Sequence, residues 1–298
     1  MIKDKPIKEI VLKEAELYEY KGADQVVPAS VIAETLSHSK DAIFKFKTGI
    51  PSMDRILDGV ECGELILVTG LPGDGKTTFL MTITRNMALL GVKSIWFTLE
   101  VTPSQFLEKM SMKDTMPEFY MPADTADNSL KWIEERVVES RAKYGTKVIF
   151  IDHINMIYSL DQYKGNTSLE LGDMVAKLKQ IAIKYNQIIF LVAHGRDPDT
   201  QTMKEPTQYS VRDSGMIIRL ADTVMGIWRV KNNSDPLSTK LDVIDENDNQ
   251  SKIRIWKNRR VGKRGFFFME HKDHYLTEID KNANLNNFVG ELKKEKLF

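Results

Sequence analysis

Residues 65–77, Leu-Ile-Leu-Val-Thr-Gly-Leu-Pro-Gly-Asp-Gly-Lys-Thr, restrict the possible folds of this chain more than any other segment. An apolar run suited to a strand buried on both faces leads into a glycine-rich turn, and a helical pattern follows. The turn has the form G-x-x-x-x-G-K-T, from Gly70 to Thr77. Glycines allow consecutive backbone N–H groups to face an anion, and the N-terminus of the following helix adds positive potential. The pattern predicts Lys76 at the outer phosphates of a nucleotide and the Thr77 hydroxyl on a metal ion. Gly70, Gly73, Asp74, Gly75, Lys76, Thr77 and Thr78 are the candidate nucleotide contacts, and ATP with Mg2+ is the implied ligand pair. A glycine-rich turn with a coincidental lysine is the competing reading of the spacing alone.

From residue 63 onward, short apolar runs alternate with helical patterns, which predicts an α/β fold with a mostly parallel central sheet flanked by helices. Strands are expected at 65–69, 94–98, 147–151, 187–192 and 223–228, and helices at 77–90, 102–112, 129–144 and 168–185. Runs at 252–258 and 265–270, joined by a basic turn with glycine, read as a C-terminal β-hairpin. The Asn-, Asp- and Ser-rich stretch 231–250 reads as a surface loop or insertion. Three regions follow: a short N-terminal helical arm over 1–45, a core over 46–282 and a tail over 283–298. The arm shows weak helical patterning at 10–17 and again at 30–36; it is read either as a subunit-packing helix or as a cap on its own domain.

Lysine plus arginine equals aspartate plus glutamate at 42 each, so any contact with a polyanion must be local. Cys62 is the only cysteine, which excludes an internal disulfide or a cysteine-based zinc site in one chain and fits a reducing compartment. No apolar segment reads as a signal or membrane span, so a cytoplasmic protein is expected.

Two further runs end in carboxylates: Val148-Ile149-Phe150-Ile151-Asp152 and Ile95-Trp96-Phe97-Thr98-Leu99-Glu100. A carboxylate at the C-terminal end of a buried parallel strand faces the crevice where ligands bind in such sheets. Asp152 is therefore a candidate for holding hydrated magnesium, and Glu100 for polarising the attacking water. A turn-forming aspartate and a helix-capping or surface glutamate are the competing readings.

These motifs, in order, resemble the RecA-like motor domain of hexameric replicative helicases, the DnaB-like and Twinkle-like group that includes phage primase-helicases. The resemblance covers roughly residues 47–280, and its lead-in segment, 48–59, is shared with other RecA-like ATPases. It implies a RecA-like P-loop core, with Glu100 as the catalytic glutamate and Asp152 in the Walker B strand. It places His194 as a sensor of the terminal phosphate; a strand-end histidine with satisfied hydrogen bonds is the alternative. Arg212-Asp213-Ser214-Gly215 resembles the segment after the second central loop, and 195–210 would be a pore loop with Arg196, Lys204 and Arg212 as nucleic-acid contacts. An ordinary solvated loop is the alternative there, because Asp197, Asp199 and Glu205 offset its charge.

Lys257-Asn258-Arg259 resembles the family's Lys-x-Arg pair, which reaches the neighbouring subunit's nucleotide, with Arg259 as the finger and Lys257 its companion. A basic hairpin tip is the competing reading. The resemblance further implies an ATP-driven translocase in DNA replication, a homohexamer on single-stranded DNA with 5′-to-3′ movement, and a primase, polymerase or loader as partner. No room is read for a primase domain or full N-terminal domain. A RecA- or RadA-like recombinase and a regulatory ATPase acting on protein partners are the other readings. His153, His271 and His274 are expected in structural or solvated roles, since no coordinating set is apparent.

Overall fold

The computed structural model describes residues 18–19, 21–22, 25–38, 45–110, 116–124, 129–154, 157, 167–195, 207–208, 215–230, 249–272 and 274–279. The chain divides into two compact units, residues 1–44 and 45–298. In the first, helix α1 spans Ala29–His38, covering the second of the two expected arm helices, and Thr35 Oγ1 donates to the Val31 carbonyl at 2.8 Å. The pattern at 10–17, most of the polar stretch 231–250 and the tail at 283–298 lie outside the described residues.

The second unit is built on an eight-stranded sheet. In chain order its first elements are β1 (Lys45–Phe46), α2 (Pro51–Leu57), β2 (Val60–Glu61), β3 (Leu65–Gly70), α3 (Lys76–Leu89), β4 (Ser94–Thr98) and α4 (Pro103–Met110). There follow α5 (Leu130–Tyr144), β5 (Val148–Asp152), α6 (Thr167–Lys184), β6 (Ile188–His194), α7 (Gly215–Leu220) and β7 (Thr223–Arg229). The last are β8 (Gln250–Asn258), β9 (Gly265–Lys272) and β10 (Tyr275–Glu278). The sheet order is β10-β9-β8-β7-β3-β6-β5-β4, while β1 and β2 pair separately. β7, β3, β6, β5 and β4 run parallel, and β8 to β10 add an antiparallel extension.

Alternation along the parallel strands divides the core between the two faces. Ile66, Val68, Trp96, Phe150 and Phe190 pack with Phe79 and Ile83 of α3 and Phe106 of α4. Leu65, Leu67, Phe97, Ile149 and Leu191 pack with Ile133 and Val137 of α5 and Val175 and Leu178 of α6. Both faces are apolar because helices cover both, which is why these strands read as unbroken hydrophobic runs. Trp96, Phe150 and Phe190 stack across three adjacent strands with ring centroids 4.8 and 5.1 Å apart, and the Trp96 indole donates to Thr84 Oγ1 at 2.9 Å. Local signals end α5 cleanly: Ser129 accepts from the Trp132 N–H at its start, and Gly145 takes a left-handed conformation, φ 72°, after its end.

The α/β expectation with a mostly parallel sheet holds. The expected hairpin is in fact part of a three-stranded meander. β8 begins at Gln250, inside the stretch expected as loop, and β10 has no counterpart among the expected strands. The reason is local: Tyr275–Glu278 is four residues long, and its core contacts come from distant α3, where Thr82 Oγ1 accepts from the Leu276 N–H at 2.9 Å.

Candidate active site

The parallel register gathers the carboxyl ends of four strands at one edge. Gly70 of β3 lies opposite His194 of β6, and Thr98 of β4 opposite Asp152 of β5. The phosphate loop leaves β3 at Gly70, where a Cβ would sit 2.3 Å from the Ile227 carbonyl oxygen of neighbouring β7, so only glycine fits. Gly75, φ 93°, turns the chain into α3, whose first residue is Lys76. Lys76 is buried, and its amine donates to the loop's own carbonyls, Gly70 O at 3.0 Å and Leu71 O at 2.8 Å. Asp74 closes the loop instead of lining it: its carboxylate accepts from the Leu71 N–H at 2.7 Å and the Arg229 N–H at 3.4 Å. Burial raises its pKa.

Thr77 Oγ1 donates to Asp152 Oδ2 at 2.9 Å, so the two candidate metal-binding groups meet. The other oxygen, Oδ1, is buried without a hydrogen-bond partner, as is Thr98 Oγ1 on the adjacent strand. An orphaned carboxylate oxygen beside a hydroxyl at the start of a phosphate loop suits a hydrated Mg2+, which takes oxygen ligands and keeps most of its waters. Desolvation pushes the Asp152 pKa up from 3.8 to about 6, aided by the nearby Glu100 charge and opposed by the Thr77 hydrogen bond and Lys76.

That shift makes a stability prediction. The folded state holds the Asp152 proton more tightly than the unfolded chain does, so this group costs nothing below pH 3.8, and its cost grows to full size above pH about 6. Asp152→Asn should therefore raise the melting temperature of the nucleotide-free protein at pH 7, by on the order of 3 kcal/mol in stability. The gain should vanish by pH 4, which thermal melts across that range measure.

Glu100, just beyond β4, has a half-exposed side chain whose Oε2 lies 3.1 Å from Nε2 of buried His153. The His153 ring rests against that of His194, centroids 3.6 Å apart. Burial, with the neighbouring His194 and Lys76 disfavouring a further proton, lowers the His153 pKa to about 4, so the ring is neutral near pH 7. His153 is thus the residue that sequence reasoning misses. It follows Asp152 directly, but an apolar strand that ends in Asp-His gives no sign that the chain reverses there, with φ 76° at His153. The sequence expects a structural or solvated role for it, and in the fold its buried side chain touches the two candidate residues Glu100 and His194.

His271 is partly buried and His274 exposed, within the structural or solvated range expected of them. With Thr77, Thr78, Met81, Lys109 and Asn249 they line a cleft of about 440 Å³ beside the loop. The His271 ring packs over Gly75 and meets Ser251 Oγ at 3.0 Å.

Lys257 and Arg259 are at the opposite end of the sheet. Arg259 Nη1 pairs with Asp222 Oδ1 at 3.2 Å, and Asp222 also accepts from the N–H of Leu65, the first residue of β3. Leu65 and Gly70 are the two ends of six-residue β3, about 16 Å apart at strand rise. Lys257 donates to the carbonyls of Ile218, Arg219 and Ala221, satisfying the C-terminus of α7. Within one chain, then, neither meets the phosphate loop. Arg196, Lys204 and Arg212 lie outside the described residues. No helix among the described residues is long and apolar enough to cross a membrane.

The family described as "DnaB-like helicase C terminal domain" matches residues 46–121 and 115–277. The chain is 26% identical over 274 residues to the replicative DNA helicase DnaC of Bacillus subtilis, covering 82% of this chain and 59% of that protein. It is 27% identical over 222 residues to the replicative DNA helicase DnaB of Geobacillus stearothermophilus, covering 64% and 49%. It thus spans about half to three fifths of the curated relatives it matches. Among solved structures, one described as an ATPase domain superposes with a TM-score of 0.67 at 16% identity, covering 85% of this chain and 97% of that one. A DnaB-like replicative helicase, in a structure described with its interactions with primase, superposes at 0.66 and 17% identity, covering 93% and 72%.

Proposed function

We propose the function of this chain from the premise that it belongs to the DnaB-like helicase C terminal domain family, whose match covers most of its length. The chain hydrolyses ATP with magnesium and uses the energy to translocate on single-stranded DNA as a replicative helicase, working as a homohexameric ring with its sites between subunits. The observation that carries this reading is the meeting of Thr77, Asp152, Glu100 and His194 around the phosphate loop at one edge of the sheet.

Loop N–H groups and Lys76 bind the phosphates; the amine exchanges the carbonyls of Gly70 and Leu71 for phosphate oxygens. Thr77 and Asp152 would hold magnesium, which when bound neutralises charge developing on the phosphates. Glu100 orients and polarises the attacking water, and His194 contacts the terminal phosphate. The separation of Lys257 and Arg259 from their own phosphate loop supports their action on a neighbour's nucleotide. Arg196, Lys204 and Arg212 contact the DNA backbone, and a primase, polymerase or loader engages the assembled ring in the cytoplasm.

The test is ATP hydrolysis by the purified protein with and without single-stranded DNA, across salt concentrations. Strong magnesium-dependent stimulation that weakens as salt rises is the expected result, since contacts to phosphates release counterions. Hydrolysis that single-stranded DNA never stimulates would overturn the DNA motor and favour an ATPase acting on protein partners.

A further inference from the structure

Glu100 has a half-exposed side chain on an irregular segment, so nothing in its own backbone fixes where its carboxylate points. A carboxylate that must orient water against a phosphate cannot work from many rotamers, because small misplacements of a catalytic group cost large factors in rate. Among the described residues, the hydrogen-bonding contact that reaches it from a buried group comes from His153, whose Nε2 lies 3.1 Å from Glu100 Oε2. The His153 side chain is 5% exposed, and its backbone adopts φ 76°, a left-handed conformation that costs a non-glycine residue energy and concentrates at functional sites. The ring also lies against that of His194, with centroids 3.6 Å apart and a tilt of 36° between the planes.

We propose that His153 is a positioning residue whose ring N–H anchors Glu100 in its water-orienting pose and joins that pose to His194, so that contact at the terminal phosphate and placement of the water are set together. This rests on the reading of Glu100 as the water-polarising carboxylate. One oxygen of Glu100 accepts the His153 N–H, which leaves the other for water. Because the ring is wedged between Glu100 and His194, a shift of His194 on meeting or losing phosphate displaces the anchor. The donor atoms of Glu100, His153 and His194 also lie within 4.8 Å of one another, as a transition metal would require. Nε2 of His153, however, is already committed to Glu100.

The test compares His153→Asn, which tolerates the left-handed backbone but is too short to hold Glu100, with His153→Phe, which keeps a stacked ring without an N–H, and His153→Gln, which restores a donor of similar reach. For the Asn and Phe variants we expect kcat to fall about 10- to 100-fold. Affinity for a fluorescent ATP analogue and KM should stay within about twofold, the split that marks an interaction made in the transition state. The Gln variant should recover part of the loss. In a Glu100→Gln background, His153→Phe should cost nothing further, because the group it positions is gone. Wild-type kcat in the Phe variant, a loss confined to KM, or losses that multiply in the double variant would each overturn the positioning role. Should the Asn variant misfold, the Phe variant decides alone. A wild-type protein that binds ATP without hydrolysing it, or a Glu100→Gln variant with undiminished turnover, overturns the parent reading and this one with it. Intact wild-type hydrolysis with an unaffected His153→Phe variant overturns this one only.

Discussion

Glu100→Gln is expected to bind ATP with wild-type affinity and to hydrolyse it about 100- to 10,000-fold more slowly, the range of a general base removed. The substitution keeps the side chain's size and its ability to accept a hydrogen bond from His153, 3.1 Å away, so the fold and the phosphate loop should be undisturbed. What it removes is the negative charge that, in the proposed mechanism, pulls a proton from water. The loop N–H groups, Lys76 and the Thr77–Asp152 pair, the proposed nucleotide contacts, remain. Equilibrium binding of a fluorescent ATP analogue and single-turnover phosphate release measure the two properties separately. Undiminished phosphate release would make Glu100 a surface glutamate that happens to face the crevice.

Arg259→Ala should abolish hydrolysis in the assembled protein, by about 1,000-fold or more if its guanidinium stabilises phosphoryl charge in trans. It should leave stability almost unchanged. The Arg259–Asp222 contact is 3.2 Å, but the Arg259 side chain is 51% exposed, and ion pairs of that kind contribute about 0–1 kcal/mol. Asp222 keeps Lys179 and the Leu65 N–H as partners. A large catalytic loss with a small stability change is what separates a finger from a structural arginine. Mixing supplies the decisive form of the experiment: Arg259→Ala and Glu100→Gln subunits are each inactive alone, yet mixed assemblies should regain part of the activity. In some interfaces an intact Glu100 then faces an intact Arg259. No recovery in mixed rings, with assembly verified by sedimentation, would confine both residues to one chain, where Arg259 pairs with Asp222 at the end of the sheet opposite Glu100.

Which residues are legible in the sequence follows from how local their signal is. The loop from Gly70 to Thr77 carries its chemistry in consecutive residues, and the carboxylates at 100 and 152 each close an apolar run, so spacing alone nominates them. His153 escapes such a reading because its meaning depends on Glu100 and His194, which are distant in the chain and meet it only where β4, β5 and β6 end side by side. The nearness of His271 to the loop is also tertiary: the meander that carries it is brought against α3 by pairing with β8 and by the Thr82 contact to Leu276. Lys257 is nominated as a catalytic companion, and in the folded chain it also satisfies three carbonyls at the end of α7.

By itself the sequence determined that this chain forms parallel strands buried on both faces, that a phosphate loop opens α3, and that acidic groups end two of the strands. These are consequences of side-chain periodicity and of glycine's backbone freedom, which act over a few residues. Only the tertiary structure decided which strand ends are neighbours, because strand order depends on how helices cross over the sheet and not on any strand's own residues. That order brings His194 beside Gly70, sets Thr98 beside Asp152 and lets a buried histidine reach Glu100. The same order leaves Arg259 at the far end of β3, paired with Asp222 and out of reach of its own phosphate loop.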